Sequence, residues 1–294
     1  MSNNFNVISK LKSMDTGIFF MLLSAMLGSL SGAVAKVLSD TMDPLEIVFY
    51  RNMLGVIMIL YSFKKVELSI SFDISKSHLL FLRGLFGTIA MVLYFYTIAT
   101  IPLGEAVILN KTSPFFVTIL AYYLMKESIS INTIFALIIG FIGVFFVIQP
   151  FDFEISTGHI LGVLGGFFAA SAYATIKKIK DIYDARVIML SFMGIGTILP
   201  LMVFLFTPYA QFQLHTGFFV WSMIAFMAIL STASQWFLTR AYSLSKASII
   251  GVIGYSSIPF AVGFGIMLGD SIPGMLTFLG IALIALGGFL VNKK

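Results

Sequence analysis

The residue best placed to do chemistry is Lys111. It follows Asn110, precedes Thr112-Ser113-Pro114-Phe115, and stands inside an apolar stretch over 104–125. A charge within a stretch of membrane-spanning length costs on the order of 3 kcal/mol, so it faces the protein interior and has a task there. Lys111 would lie about seven residues, roughly 10 Å, from the start of its span. An ammonium at that depth can receive a carboxylate or phosphate of a bound molecule. Its structural use is to pair with Glu105 or a backbone carbonyl. Spacings of seven and four place Thr118 and Tyr122 on the same helix face.

Two further cations fall within spans. Arg51 lies about six residues into a second stretch, with Asp43 and Glu46 on the same side, so a structural ion pair is the inexpensive solution for it. Lys36 closes the first stretch, where it can snorkel or join Arg51 and Lys111 in a basic mouth. Gln235 belongs to a Ser231, Ser234, Gln235 stripe at helical spacing and is harder to hide than a hydroxyl. Small hydroxyls in spans bond their own backbone, so serines and threonines are weaker candidates. Tyr94, Trp236 and Tyr255 can stack on a planar cargo, or simply pack helices. Pro114 and Pro259 interrupt corresponding spans and are candidate gating or hinge positions.

These residues need spans to hold them, and the composition supplies spans. Charged residues make up 11% of the chain and hydrophobic residues 59%, with a mean hydropathy of +1.01. A soluble chain carries roughly 25% charged residues, so most of this surface must face lipid. Apolar stretches run over 16–38, 45–63, 78–99, 104–125, 131–149, 158–176, 187–207, 218–240, 247–268 and 273–291. Each is long enough to cross as a helix, the only open-chain form that satisfies its backbone in lipid. With a cytoplasmic N-terminus, 15 of the 18 basic residues fall inside, Arg83 and the Lys177-Lys178-Lys180 cluster among them. The outside loops hold Asp40, Asp43, Asp152, Glu154 and Asp270 and no base. This predicts both termini inside and a multi-pass protein of the bacterial inner membrane.

The halves 1–150 and 151–294 read as two copies. Glu127-Ser128-Ile129-Ser130 after the fourth stretch matches Asp270-Ser271-Ile272-Pro273 after the ninth. Small-xxx-small pairs recur at Gly28/Gly32 and Gly162/Gly166. Five spans per copy is odd, so the second copy is inverted. The expected fold is all-α: ten transmembrane helices as two inverted five-helix repeats. With Ala35-Lys36 closing span one, Phe49-Tyr50-Arg51 opening span two, Leu82-Arg83-Gly84 opening span three and Asn110-Lys111-Thr112-Ser113-Pro114-Phe115 in span four, the whole chain resembles the drug/metabolite transporter superfamily, EamA type. The resemblance implies a central cavity among spans 3, 4, 8 and 9, with spans 1 and 6 beside them, and a small-molecule cargo.

The resulting expectation is a secondary transporter of a small organic metabolite working by alternating access. The deep cations favour an anionic or zwitterionic cargo, because no span centre carries the carboxylate a proton-coupled exporter of lipophilic cations needs. With no cysteine and with His78, His159 and His215 far apart, no thiol chemistry and no metal site is expected. No nucleotide-binding loop appears and no cofactor is expected. The basic residues follow membrane topology and do not indicate nucleic acid. Partners are the cargo and membrane lipids. One chain contains both halves, so a monomer suffices, while the Gly28 and Gly162 motifs offer faces for a homodimer. The alternatives are a membrane enzyme acting on a lipid-linked substrate, which lacks a catalytic cluster, and a non-transporting membrane scaffold.

Overall fold

The computed structural model describes residues 2–38, 41–63, 76–100, 109–148, 157–206, 217–268 and 274–292. Its elements are α1 (Ser2–Leu38), α2 (Pro44–Phe63), α3 (Ser77–Thr100), α4 (Ser113–Met125), α5 (Ile131–Ile148), α6 (Thr157–Ile179), α7 (Ala185–Phe206), α8 (Phe218–Leu244), α9 (Ala247–Met267) and α10 (Met275–Asn292). A 3-10 turn, Gly254–Ser256, divides α9 into Ala247–Ile253 and Ser257–Met267. Among the described residues, seven helices are long and apolar enough to cross a membrane, and α4, α5 and α10 are shorter apolar helices. Tyr123, Phe206, Phe218, Phe289 and Met267 stand largely exposed on the outer surface. Such a belt is an aggregation hazard in water and meets lipid tails in a bilayer. The chain is a multi-pass membrane protein.

The principal packing pairs are α1 with α8, α3 with α6, α2 with α7, α4 with α9, α5 with α10, α3 with α7, α2 with α8, α4 with α6, and α1 with α9. Exchanging each helix with the one five places on maps this set onto itself. The α1–α8 pair becomes α6–α3, and α4–α6 becomes α9–α1, while α2–α7, α4–α9 and α5–α10 map onto themselves.

Small residues let these helices approach closely. On the α5–α10 seam, a Cβ on Gly143 would stand 2.6 Å from the Gly280 carbonyl oxygen, and one on Gly287 would stand 2.8 Å from that of Ala136. Gly28 faces the Ser234 hydroxyl of α8, and Gly162 faces Leu109, whereas Gly32 meets open space. Gly28 and Gly162 therefore serve packing within the chain, while the Gly32 face stays open.

The basic end of the bundle carries Lys126, Lys177, Lys178, Lys180, Arg186, Arg240 and Lys246. Here the chain turns from α4 into α5 through Lys126, whose left-handed backbone (φ 52°) lets the Lys126 and Glu127 amides both donate to the Ala121 carbonyl. Asp184 caps α7 by accepting from the Arg186 amide at 2.8 Å.

Candidate functional site

Two interrupted helices meet at the centre. Leu109 and Asn110 are helical, Lys111 and Thr112 form a turn, and α4 starts at Ser113. Pro114 thus occupies the first turn of α4, where its missing amide costs no helical bond, and the interruption lies just before it. Pro259 occupies the first turn of the second α9 segment, directly after the 3-10 turn. A proline at the start of each second segment explains why both breaks fall where they do. The sequence placed Pro114 mid-span as a kink in one helix; in the structure it starts a new helical segment.

The breaks adjoin. Gly251 on α9 lies against Pro114, its Cβ direction 3.4 Å from the proline ring. The Lys111 ammonium donates to the Ser257 hydroxyl. That hydroxyl donates to the Gly254 carbonyl at 3.0 Å, and the Ser257 carbonyl accepts from the Ser29 hydroxyl of α1 at 2.8 Å. Lys111 therefore sits in a polar hub made by α1, α4 and α9, with no acid among its contacts in the described residues. Its other structural partner in the sequence, Glu105, lies outside the described residues, as does Asp270. The Ser256 hydroxyl and the Tyr255 phenol, both in the α9 break, are buried without hydrogen-bond partners. Interrupted spans of this kind present backbone dipole ends at mid-membrane, where a charged ligand can be held.

Each predicted residue has a definite place. Asn110 is half-buried beside Lys111. Tyr255 is fully buried, with its ring against Gly140 of α5. Gln235 is half-buried on α8 and its side-chain oxygen has no partner; the adjacent Ser234 exchanges hydrogen bonds with Ser24 of α1 at 2.8 Å. Through Ser24 and Ser29, α1 is tied to α8 and to the α9 break. Trp236 packs on Phe20 and Phe237, with the Arg240 guanidinium over its ring at 5.5 Å. Lys36 is exposed at the end of α1. Tyr94 lies on α3, half-buried, three residues beyond Met91. Thr118 bonds the Pro114 carbonyl and Tyr122 points outward, so the face counted from Lys111 does not survive the break in α4.

Among the described residues Arg51 has no carboxylate partner, so the expected ion pair with Asp43 or Glu46 is not formed. Its Nη1 donates to the Met91 sulfur at 3.2 Å, and its Nε is buried and unbonded. Arg83, assigned by sequence to the basic end, is instead 1% exposed inside the bundle. Its guanidinium lies over the Phe192 ring at 4.8 Å, and its Nε is unbonded. Nearby, the Tyr173 ring of α6 stacks on that of Tyr242, with centroids 4.8 Å apart. The sequence reading missed Arg83. The signal was present in Gly84 and Gly87, which mark close packing around it.

At the basic end, a polar latch joins the two sets of helices. Glu127 accepts from the Ala247 amide at 3.3 Å, capping α9, and stands 3.7 Å from the Lys177 ammonium. Lys177 donates to the Ser245 carbonyl, and Lys246 reaches back to the Ser128 carbonyl at 3.0 Å.

Residues 15–149 match the EamA-like transporter family. The chain is 30% identical to a pseudopaline exporter of Pseudomonas aeruginosa, over 98% of each chain. It is 26% identical to a riboflavin transporter of Vibrio cholerae, over 70% of this chain and 68% of that one. A solved crystal structure superposes with a TM-score of 0.75 at 13% identity, covering 96% of both chains, which shows a shared fold.

Proposed function

The chain belongs to the EamA-like transporter family, within the drug/metabolite transporter superfamily, and from that premise we propose a secondary carrier that works by alternating access. Its cargo is a small anionic or zwitterionic metabolite. The observation that carries this reading is Lys111, a cation at the junction of two interrupted spans whose partner among the described residues is the Ser257 hydroxyl and not an acid. Cargo would displace the Ser257 hydroxyl from the ammonium. The unbonded Ser256 hydroxyl, next to Ser257, offers a further donor and acceptor. The similar carriers are named for different cargoes, so neither name transfers to this chain.

In this reading, residues 1–150 and 151–294 are inverted repeats, and the exchange symmetry of the packing pairs supports that division. The basic end is cytoplasmic, by the positive-inside rule, which puts the chain in the inner membrane with both termini inside. The Glu127–Lys177 latch then closes the cytoplasmic side. Movement of the two segments of α9 about its turn, together with opening of the latch, would expose the hub to each side in turn. No residue has a catalytic role.

The test pairs binding with flux. Purified protein is screened by thermal shift against amino acids, nucleotides, carboxylic acids, flavins and organic cations, and each hit is followed into proteoliposomes. A ligand that binds only the folded state raises its apparent stability. Lys111→Ala is expected to reduce uptake of the best hit at least tenfold, a loss of about 1.4 kcal/mol of binding, with unchanged expression. Uptake equal to the wild type would remove Lys111 from the site.

A further inference from the structure

We propose that a groove between α1 and α10 takes one acyl chain of a bilayer lipid, and that this chain props the α9 break from the membrane side. The chain site stands on its own geometry, and only its bearing on transport rests on the carrier reading above.

The groove has a volume of about 420 Å³. Helices α1 and α10 are not among the principal packing pairs, and the gap between them exposes α9. One wall is Ile18 and Leu22, a turn apart on α1. The other is Ile281, Ala285 and Gly288, which share a face of α10 by spacings of four and three. The floor is the α9 break itself, with Ile253 at the end of the first segment and Ser256 in the 3-10 turn. Small residues make the space. A Cβ added to Gly288 would meet the Ile253 side chain at an ordinary 3.7 Å. The adjacent Gly287 faces α5, where an added Cβ would stand 2.8 Å from a backbone carbonyl. Of two consecutive glycines, one closes the α5–α10 seam and the other keeps the groove open.

The occupant follows from the chemistry and place of the groove. Leu22 and Ala285 at its mouth are exposed, and so are Phe19, Leu286 and Phe289 on the same two helices. The groove is therefore continuous with the surface that meets lipid tails. Its lining carries one polar side chain, Ser256, whose hydroxyl is buried and unbonded. A water held there would need several polar partners, and an ionic cargo would need a counter-charge. The groove supplies neither. A hydrocarbon chain needs only contact. Lipid tails are as apolar as these walls, so no hydrophobic gain draws a chain in, but an empty groove would forfeit dispersion contacts along its length. A methylene takes up nearly the room of a water molecule, roughly 30 Å³, so the groove holds on the order of 14 of them, most of one chain.

The break is held unequally on its two sides. Ser257 is tied to Lys111 and to Ser29, whereas Ser256 beside it has no bond and lies on the groove. On the groove side, support comes from packing. The short arm that ends at Ile253 begins at Ala247, whose amide Glu127 holds in the latch. A chain against Ile253 resists tilting of that arm into the groove, and with it opening of the latch.

The experiment uses the full chain in nanodiscs doped with a phosphatidylcholine that carries a diazirine at mid-chain. After illumination, labelled peptides are read by mass spectrometry. Labelling over 253–259 and 281–288 is expected to exceed that of the exposed α5 face over 131–145 by about fivefold. Gly288→Phe, which fills the groove, should cut the groove labelling by about the same factor, while Gly32→Phe, on an open face of α1, should leave it unchanged. If Gly288→Phe fails to fold, Ala285→Leu is the milder plug. Equal labelling of the groove and the α5 face overturns the chain site, as does unchanged labelling in a folded plug variant. Disulfide-linked dimers of Ala285→Cys that lose the label would assign the groove to a second copy and overturn it too. The prop is read without any cargo, by the labelling rate of Ser128→Cys at the latch. That rate should be about threefold higher in bilayers of short saturated chains than of long ones, and Gly288→Phe should make it slow in both. A plug variant whose rate still follows chain length overturns the prop, because bilayer thickness alone would then account for the effect. Flux in proteoliposomes is measured separately, and its absence beside intact groove labelling would sink the carrier and keep the chain site.

Discussion

Two seams of the bundle join helices that correspond in the two halves, and they are built in opposite ways. At α5–α10 both helices are continuous and apolar, and glycines bring backbone against backbone at Gly143–Gly280 and Gly287–Ala136. At α4–α9 both spans are interrupted, and the contact is a lysine ammonium on a serine hydroxyl. Close backbone packing has a steep repulsive wall and few alternatives, so the first seam resists sliding. The second seam has exchangeable hydrogen bonds, unbonded hydroxyls and one charge. The difference separates a rigid seam from an adaptable one, and in the proposed reading the adaptable seam is where cargo binds.

The comparison can be broken most severely at Gly143. Gly143→Leu drives a side chain into the Gly280 carbonyl and the Ile284 amide, which cannot move aside. Overpacking of that kind should cost about 3 kcal/mol, read as loss of folded protein in a detergent melt. Gly32→Leu, whose Cβ direction is open, is the control and should melt as the wild type does. At the other seam, Ser257→Ala removes the Lys111 partner and should change cargo affinity by a few-fold while shifting stability by about 1 kcal/mol. A large melt shift with unchanged affinity would mean that Lys111 is a structural tie.

The latch offers a smaller effect. Glu127→Gln keeps an acceptor for the Ala247 amide but loses the charge facing Lys177. A loss of about 1 kcal/mol would raise the fraction open at that end roughly fivefold. Because the chain has no native cysteine, a single cysteine at Ser128 reports this opening by its labelling rate. An unchanged rate would show that the latch does not hold the end closed.

The smallest effect belongs to Asp184, in the turn between α6 and α7. Burial pushes its carboxyl up, but the hydrogen bonds and charge of Arg186 outweigh this and hold it below the ordinary Asp value. Its stabilisation is therefore complete above the unfolded value near 3.9 and is lost as pH falls through the lower folded value. The side chain is 42% exposed, so solvent screening keeps the contribution to about 0.5 kcal/mol. Asp184→Asn should flatten the low-pH end of the melting curve by about that much.

Much of this was legible in the sequence. Hydropathy located the spans because lipid imposes a length and a composition on every helix that crosses it. The sequence also singled out Lys111 as an intramembrane charge, and the structure places it beside the α4 and α9 breaks, with Ser257 as its partner. Arg83 was not, for a physical reason: near the start of a span, a snorkelling arginine and an inward one have the same sequence. Only the packing of α7 against Gly84 and Gly87 turns this one inward. Tyr122 misled for the opposite reason, since a helical face can be counted only while the helix continues, and α4 begins after Lys111. Trp236 and Tyr255 carry rings whose surroundings no spacing reveals.

The 3-10 turn of α9 has a mechanical consequence. Tyr255, at its middle, is seated on Gly140, so the turn is pinned to α5, one of the two continuous helices. In the proposed alternating-access cycle the break would act as a fulcrum fixed to the frame and not as a loose joint. The two arms of α9 differ in length, Ala247–Ile253 against Ser257–Met267. In that cycle a small tilt of the short arm at the latch would be magnified at the far tip of the long one, as in a lever with its pivot off centre.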